Sequence, residues 1–231
     1  MINKRLAILQ MMDTTFPIGL FNQSYGFESY IDQGTIHDDR SFYHWLHVYI
    51  QNQLKYNDLL VVQETYNTLM SGEKSKMNRL IGYNELIHAQ SLSSEVRSGN
   101  SRTGKQFLNL AIQLFNNQLL KQFGECIHAQ GSAPHPSVVY AIVGYVLKMS
   151  LSELLETFLY SVISSLIQNA VRGIPIGQVK AQIMLVQMHD EIDEIVNNVM
   201  SLNIDDFGKG LPGNEIAQMQ HETLFARMFM S

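Results

Sequence analysis

The chain has 231 residues, long enough to bury a sizeable core, and we expect one large domain. Only 16% of the residues are charged, the net charge is -5 with a pI near 5.9, and no lysine or arginine cluster occurs, which argues against nucleic acid or an anionic membrane as a partner. Asn, Gln and Ser must cover much of the surface, a composition suited to contacts with other proteins. The single cysteine, Cys126, rules out an intrachain disulfide and a multi-cysteine zinc site, and it fits a reducing, cytoplasmic setting. The opening MINKRLAILQMMD has its apolar run broken by Gln10 and does not read as a signal peptide. The longest uninterrupted apolar stretch, around Val138 to Leu147, falls well short of the roughly 18 residues of a membrane span, so a soluble protein without a membrane partner is expected.

In chain order, residues 4 to 12 read as a short helix carrying Leu6, Leu9 and Met12, followed by a corner at Phe16-Pro17-Ile18-Gly19. A helix over 22 to 33 would hold Gly26 in its interior, which suggests close approach of another backbone. From Arg40, the residues Phe42, Trp45, Leu46, Tyr49, Ile50 and Leu54 recur at helical spacing, and a separate helix is expected from about Asp58 to Met70. Helical spacing returns over 76 to 91 and again over 103 to 122, with the polar stretch SSEVRSGNSRTGKQ read as a junction between them. Pro136 opens an apolar helix through Val146, and Ser150 with Glu153 forms a capping box for the next one. No period-two alternation and no Asn-Gly or Asp-Gly hairpin turn is present, so the fold class is all-α, a single-domain bundle of about nine to ten helices.

The helix from Leu151 to Ala170 has one wide core stripe, and Tyr160, Ile163 and Ile167 lie off it. This is more apolar surface than a solvated helix needs, and either neighbours within the domain or a second subunit must cover it. Residues 169 to 182, NAVRGIPIGQVKAQ, form a second corner: Gly173 ends one helix and Pro175 is expected to start the next. It repeats the Pro-Ile-Gly wording of residues 17 to 19. After Gly208, Gly210, Pro212 and Gly213, Asn214 is expected to cap a last helix bearing Ile216, Met219, Leu224, Phe225 and Met228. The chain thus divides into a helical body, 1 to 207, and a C-terminal arm, 208 to 231. So much apolar surface on an arm should dock on this domain or on a partner.

Three chemical look-alikes are weaker than they seem at first sight. Gly99 to Lys105 has the glycine and lysine spacing of a phosphate loop, but Gln106 stands where a Ser or Thr should hold magnesium and no strand precedes it. His44 and His47 sit one helical turn apart, yet no paired carboxylates at fitting spacing complete a metal site, and a structural role is the better reading. Cys126 and His128, two apart, suit an extended loop. No nucleophile stands beside a base and an orienting group, so neither catalysis nor a bound cofactor is expected.

Three separated blocks resemble the UreF-type urease accessory proteins. Phe16-Pro17-Ile18-Gly19 with Ser24, Gly26 and Glu28 is similar to that family's F/L-P-I-G and S-x-G-L-E, with Phe27 for Leu. Arg172 and Ile174-Pro175-Ile176-Gly177-Gln178 with Gln182 resemble its P-L-G-Q-x-x-x-Q, with Ile176 for Leu. The ending Met219 to Ser231 is similar to M-x-H-E-x-L-x-x-R-L-F-x-S, with Met228 for Leu. The resemblance implies an all-helical homodimer that is not itself an enzyme and that joins a UreD/UreH-type protein and a UreG-type GTPase in delivering nickel to apo-urease.

On that basis Glu28, Arg172 and Gln178 are expected to lie together and face the GTPase, with loss of Glu28 or Arg172 sparing the fold. Tyr25, Tyr160, Ile163 and Ile167 are expected at the dimer interface, and His221, Glu222, Arg227 and Phe229 at the UreD/UreH-type partner, with Arg227 as anchor and Phe229 in a pocket. The competing readings are an unrelated helical adaptor, a small metalloenzyme using His44 and His47, and a GTPase activator donating Arg172.

Overall fold

The structure, a computed structural model, describes residues 3–13, 15–19 and 23–230, and among them every regular element is helical. The helices are α1 (Lys4–Met12), α2 (Phe27–Asp32), α3 (Asp39–Tyr49), α4 (Leu60–Met70), α5 (Lys76–Gln90), α6 (Ser94–Phe115), α7 (Gln118–Ala129), α8 (Pro136–Val146), α9 (Leu151–Gly173), α10 (Gln178–Gln187), α11 (His189–Val199) and α12 (Pro212–Gln220). The all-α, single-domain expectation holds.

The most apolar helix lies at the centre. Pro136 opens α8 without stranding an amide, and all nine residues from Pro136 to Gly144 are buried, so α4, α6 and α9 pack around it. The capping box of α9 forms as read: the Ser150 hydroxyl accepts from the Glu153 amide at 3.2 Å, and the Ser150 amide donates to the Glu153 carboxylate at 2.8 Å. Lys4 reaches the same carboxylate at 2.7 Å and ties α1 to the start of α9. By length and composition α9 is apolar enough to cross a membrane, but Leu154, Leu155, Leu159, Ile163, Leu166 and Ile167 are all buried in the domain, which makes it a core helix.

Several local expectations are corrected. The two helices expected between residues 40 and 70 are one continuous rod, because a π-helical stretch over Ile50–Leu59 joins α3 to α4. The wider turn leaves Asn57 to donate to the Gln53 carbonyl at 2.7 Å, a detail with no periodic signature. The polar stretch before residue 103 is not a junction but the first half of α6, amphipathic through Val96, Asn100, Thr103 and Phe107. Its glycines serve packing: a Cβ on Gly104 would lie 1.8 Å from the Pro134 carbonyl oxygen, so α6 presses directly on the loop before α8. The phosphate-loop spacing is thus a helix-packing pattern. Cys126 and His128 lie on α7 rather than in an extended loop.

α2 starts at Phe27, and Gly26 caps it in the left-handed region at φ 100 instead of sitting inside a helix. The expected close approach is real: a Cβ there would meet Asn214 at 3.0 Å and Gln218 at 3.1 Å. α9 does end at Gly173, but α10 begins at Gln178, three residues after Pro175. Ile174 is extended, as a residue before proline should be, and its carbonyl accepts from the Ile176 amide at 2.7 Å. The same closure recurs in the first corner, Ile18 to Phe16 at 2.8 Å. In both corners proline is exposed and isoleucine is buried, so the shared wording encodes one turn used twice.

Candidate functional site: the clasped C-terminal segment

The C-terminal segment folds back on the body through polar groups. α12 packs on α2 and α6. Asn214 lies at the third residue of α12, buried, and links three elements instead of capping the helix. Its Oδ1 accepts from the Trp45 indole at 3.1 Å, and its Nδ2 donates to the Tyr25 carbonyl at 3.1 Å and to Gln53 at 2.9 Å. Gln218 also donates to the Tyr25 carbonyl at 3.1 Å, and this pins Tyr25 in its left-handed backbone at φ 50. Ser29 donates to the Ala217 carbonyl at 2.6 Å and Ser93 to the Gln218 carbonyl at 3.2 Å.

Beyond α12 the segment is held by one charged cluster. Both nitrogens of the fully buried His221 ring face carboxylates, Nε2 at 2.7 Å from Glu28 and Nδ1 at 2.6 Å from Glu95. A neutral imidazole has one donor, so satisfying both carboxylates requires the imidazolium. Burial alone would push the His221 pKa down, but hydrogen bonds and charge from Glu28 and Glu95 outweigh it and hold it above its ordinary value. Arg227 meets the second Glu95 oxygen at 2.5 Å, giving two carboxylates and two cations. Glu28, only 7% exposed, also accepts from the amides of Met228 at 2.5 Å and Phe229 at 3.1 Å. Its burial opposes ionisation, but these bonds and His221 prevail and lower its pKa.

This geometry alters several residue expectations. The corner at 171–178 and the segment around Glu28 do lie together, joined through Phe229: its ring contacts Phe27 at 5.3 Å and lies under the Arg172 guanidinium at 4.8 Å. Glu28, however, faces inward and clamps backbone amides, so its loss should not spare the fold. Arg172 is exposed and donates to Asn169 at 2.7 Å, while Asn169 donates to the Gln23 carbonyl at 2.8 Å. Gln178 is exposed at the start of α10.

Phe229 fills a pocket of its own chain, and Arg227 anchors within it. Glu222 is exposed and accepts from Ser94 at 2.6 Å. The opposite side of the segment is open: Ile216 is 50% exposed, Met228 55%, and Phe225 wholly so.

The proposed cover for α9 is also found within the chain. Ile163 and Ile167 are buried, and α10 and α11 pack on α9. Tyr160 is half-buried beside His189, with ring centroids 6.3 Å apart. Tyr25 is half-buried and stacks on Tyr49 at 6.2 Å. The α9 flank therefore supplies no need for a second subunit at Ile163 and Ile167.

His47 pairs with Glu191 at 2.6 Å, joining α3 to α11. Among the described residues no group of three or more His, Cys, Asp and Glu is arranged to hold a metal. Asn169, Ser29 and Glu95 were not singled out from sequence, and Asn214 only as a helix cap. Glu95 lay in the stretch read as a junction, and its partner stands 126 residues away.

Fold and site together define an all-helical domain whose C-terminal segment is clasped to the body and keeps an apolar side in solvent. The UreF family model matches residues 36–189. Over 228 residues the chain is 39% identical to the Urease accessory protein UreF of Ureaplasma parvum, covering 98% of this chain and 96% of the relative. The protein of the same name from Bacillus sp. (strain TB-90) is 36% identical over 230 residues, covering all of both chains. That from Corynebacterium efficiens is 35% identical over 230 residues, covering all of this chain and 98% of the relative. The chain belongs to the UreF family.

Proposed function

We propose that this protein is a non-catalytic urease maturation factor that bridges a UreD/UreH-type protein and a UreG-type GTPase and assists nickel insertion into apo-urease. The observation that carries this reading is the exposed apolar side of the clasped segment, Ile216, Met219, Phe225, Met228 and Met230, which a partner would desolvate. The UreD/UreH-type protein binds there. His221, Arg227 and Phe229 act from beneath, holding that surface in shape, while Glu222 lies at its edge. The GTPase meets the corner at Arg172 and Gln178, whose position Glu28 sets through Phe229. The homodimer forms across the outer side of α10, where Val179, Ile183 and Val186 are 76%, 53% and 62% exposed, with Tyr160 at its margin.

Copurification tests the assignment. The full chain should capture both partners, removal of Arg227 to Ser231 should abolish capture of the UreD/UreH-type protein, and Val179→Asp with Ile183→Asp should give monomers by light scattering. A truncated chain that still binds that partner at wild-type affinity would overturn the C-terminal assignment.

A further inference from the structure

A largely enclosed cavity of about 30 Å³ lies between α1, the π-helical stretch, α6, α8 and α9. A water needs about 10–15 Å³ on this measure, so the space holds roughly two water-sized occupants and nothing larger. Its lining is mostly apolar, Phe107 and Val162 included, and also holds Asp58, Ser137, Tyr25 and Tyr49.

Asp58 belongs to the π-helical stretch, an irregularity that often marks functional positions. Ser137 donates to its Oδ1 at 2.7 Å. Among the described residues no lysine, arginine or histidine lines the cavity, so this carboxylate faces it without a counter-charge. Burial pushes its pKa up to about 6, leaving it ionised at neutral pH. Tyr49 is 3% exposed, and its hydroxyl takes no part in the hydrogen bonds of the described residues. A half-buried carboxylate with no counter-charge and a hydroxyl with no hydrogen bond, both lining one small space, are each costly without a partner. One ligand that donates to, or is attracted by, both would answer the two costs together.

We propose that this cavity is a binding site for one small monovalent cation, ammonium, potassium or sodium in size, held by the Asp58 carboxylate with Ser137, Tyr49 and Tyr25 around it. The single carboxylate and the absence of His or Cys from the lining disfavour a divalent transition metal, which wants three or four strong ligands. The stacked rings of Tyr25 and Tyr49 suit a weakly hydrated ion. The volume excludes organic cations. This inference stands independently of the partner assignments.

Thermal unfolding at pH 7.5 and constant ionic strength, in sodium, potassium, ammonium or tetramethylammonium chloride, tests it. At least one small ion should raise Tm saturably by a few degrees over tetramethylammonium, identifying the occupant, and Asp58→Asn should lose the response. Equal Tm values in all four salts, or a response retained by Asp58→Asn, would overturn the proposal. Should that variant not fold, Tyr49→Phe keeps the ring and should weaken the response. Crystals grown in rubidium or thallium(I) give a direct reading: an anomalous peak beside Asp58 supports the site, and water alone there refutes it.

Discussion

Two regions of the chain carry more apolar surface than an ordinary solvated helix, and the fold treats them oppositely. The flank of α9 is closed over by α10 and α11, leaving Ile163 and Ile167 buried. The C-terminal segment is fastened down by its polar residues and by Phe229, and its other large apolar groups, Ile216, Met219, Phe225, Met228 and Met230, stay in water, with Phe225 wholly exposed. Excess apolar surface in a sequence shows only that a cover is needed. Whether the cover is in the same chain depends on which groups do the fastening: hydrophobic residues fasten themselves, whereas a segment held by Asn214, His221 and Glu28 keeps its apolar side available.

The largest expected effect breaks the fastening. Glu28→Ala removes the acceptor of two backbone amides and leaves His221 without one of its carboxylates, and breaking a buried pair in this way costs about 3–5 kcal/mol. Hydrogen exchange should show the amides of residues 221–230 losing protection while those of α8 keep theirs. Unchanged protection in that segment would mean that the clasp does not depend on Glu28.

Ile163→Ala should cost nearly as much, about 2–5 kcal/mol, because it opens a hole in a closed core. Urea denaturation measures the loss. A neutral result would return this residue to the subunit-interface role expected from the sequence.

A smaller effect comes from pH. The His221 pKa is raised above 6.5, so its contribution is complete below that value and is lost as pH rises through the folded-state value. The Glu28 pKa is lowered from 4.5, so its contribution is present above that value and fades as pH falls. With Glu95 on the same ring and Arg227 on the other Glu95 oxygen, the clasp should be tightest between about pH 4.5 and the raised His221 value. Protease cleavage after residue 221, corrected for the enzyme's own pH profile, should rise about fivefold between pH 6 and 9, corresponding to about 1 kcal/mol. His221→Gln should flatten that rise.

Local features were legible in the sequence because their causes are local. The Ser150 box, the Pro136 helix start, the stop at Gly173 and the all-α class each follow from residues within a turn or two of one another. The π-helical join was not, since Ile50 to Leu59 carries residues compatible with either an α-helix or a break. The polar first half of α6 was misread because Gly99 and Gly104 lower helix propensity, and the compensation comes from Gln23 and Pro134 far away in sequence. The charged cluster was half visible: Glu28, His221 and Arg227 stood in the blocks that carry the family resemblance, but nothing in the chain pointed to Glu95 or showed that these residues face one another rather than a partner.

The smallest effect on the isolated protein belongs to the open side of the segment. Phe225→Asp should change stability by no more than about 0.5 kcal/mol, because the ring is already in solvent. The affinity of that variant for the UreD/UreH-type protein, measured by titration calorimetry with fold and dimer confirmed beforehand, tests the central claim most directly. The account predicts a loss of at least about thirtyfold, equivalent to about 2 kcal/mol at an interface hot spot. Wild-type affinity from a correctly folded Phe225→Asp protein would contradict it.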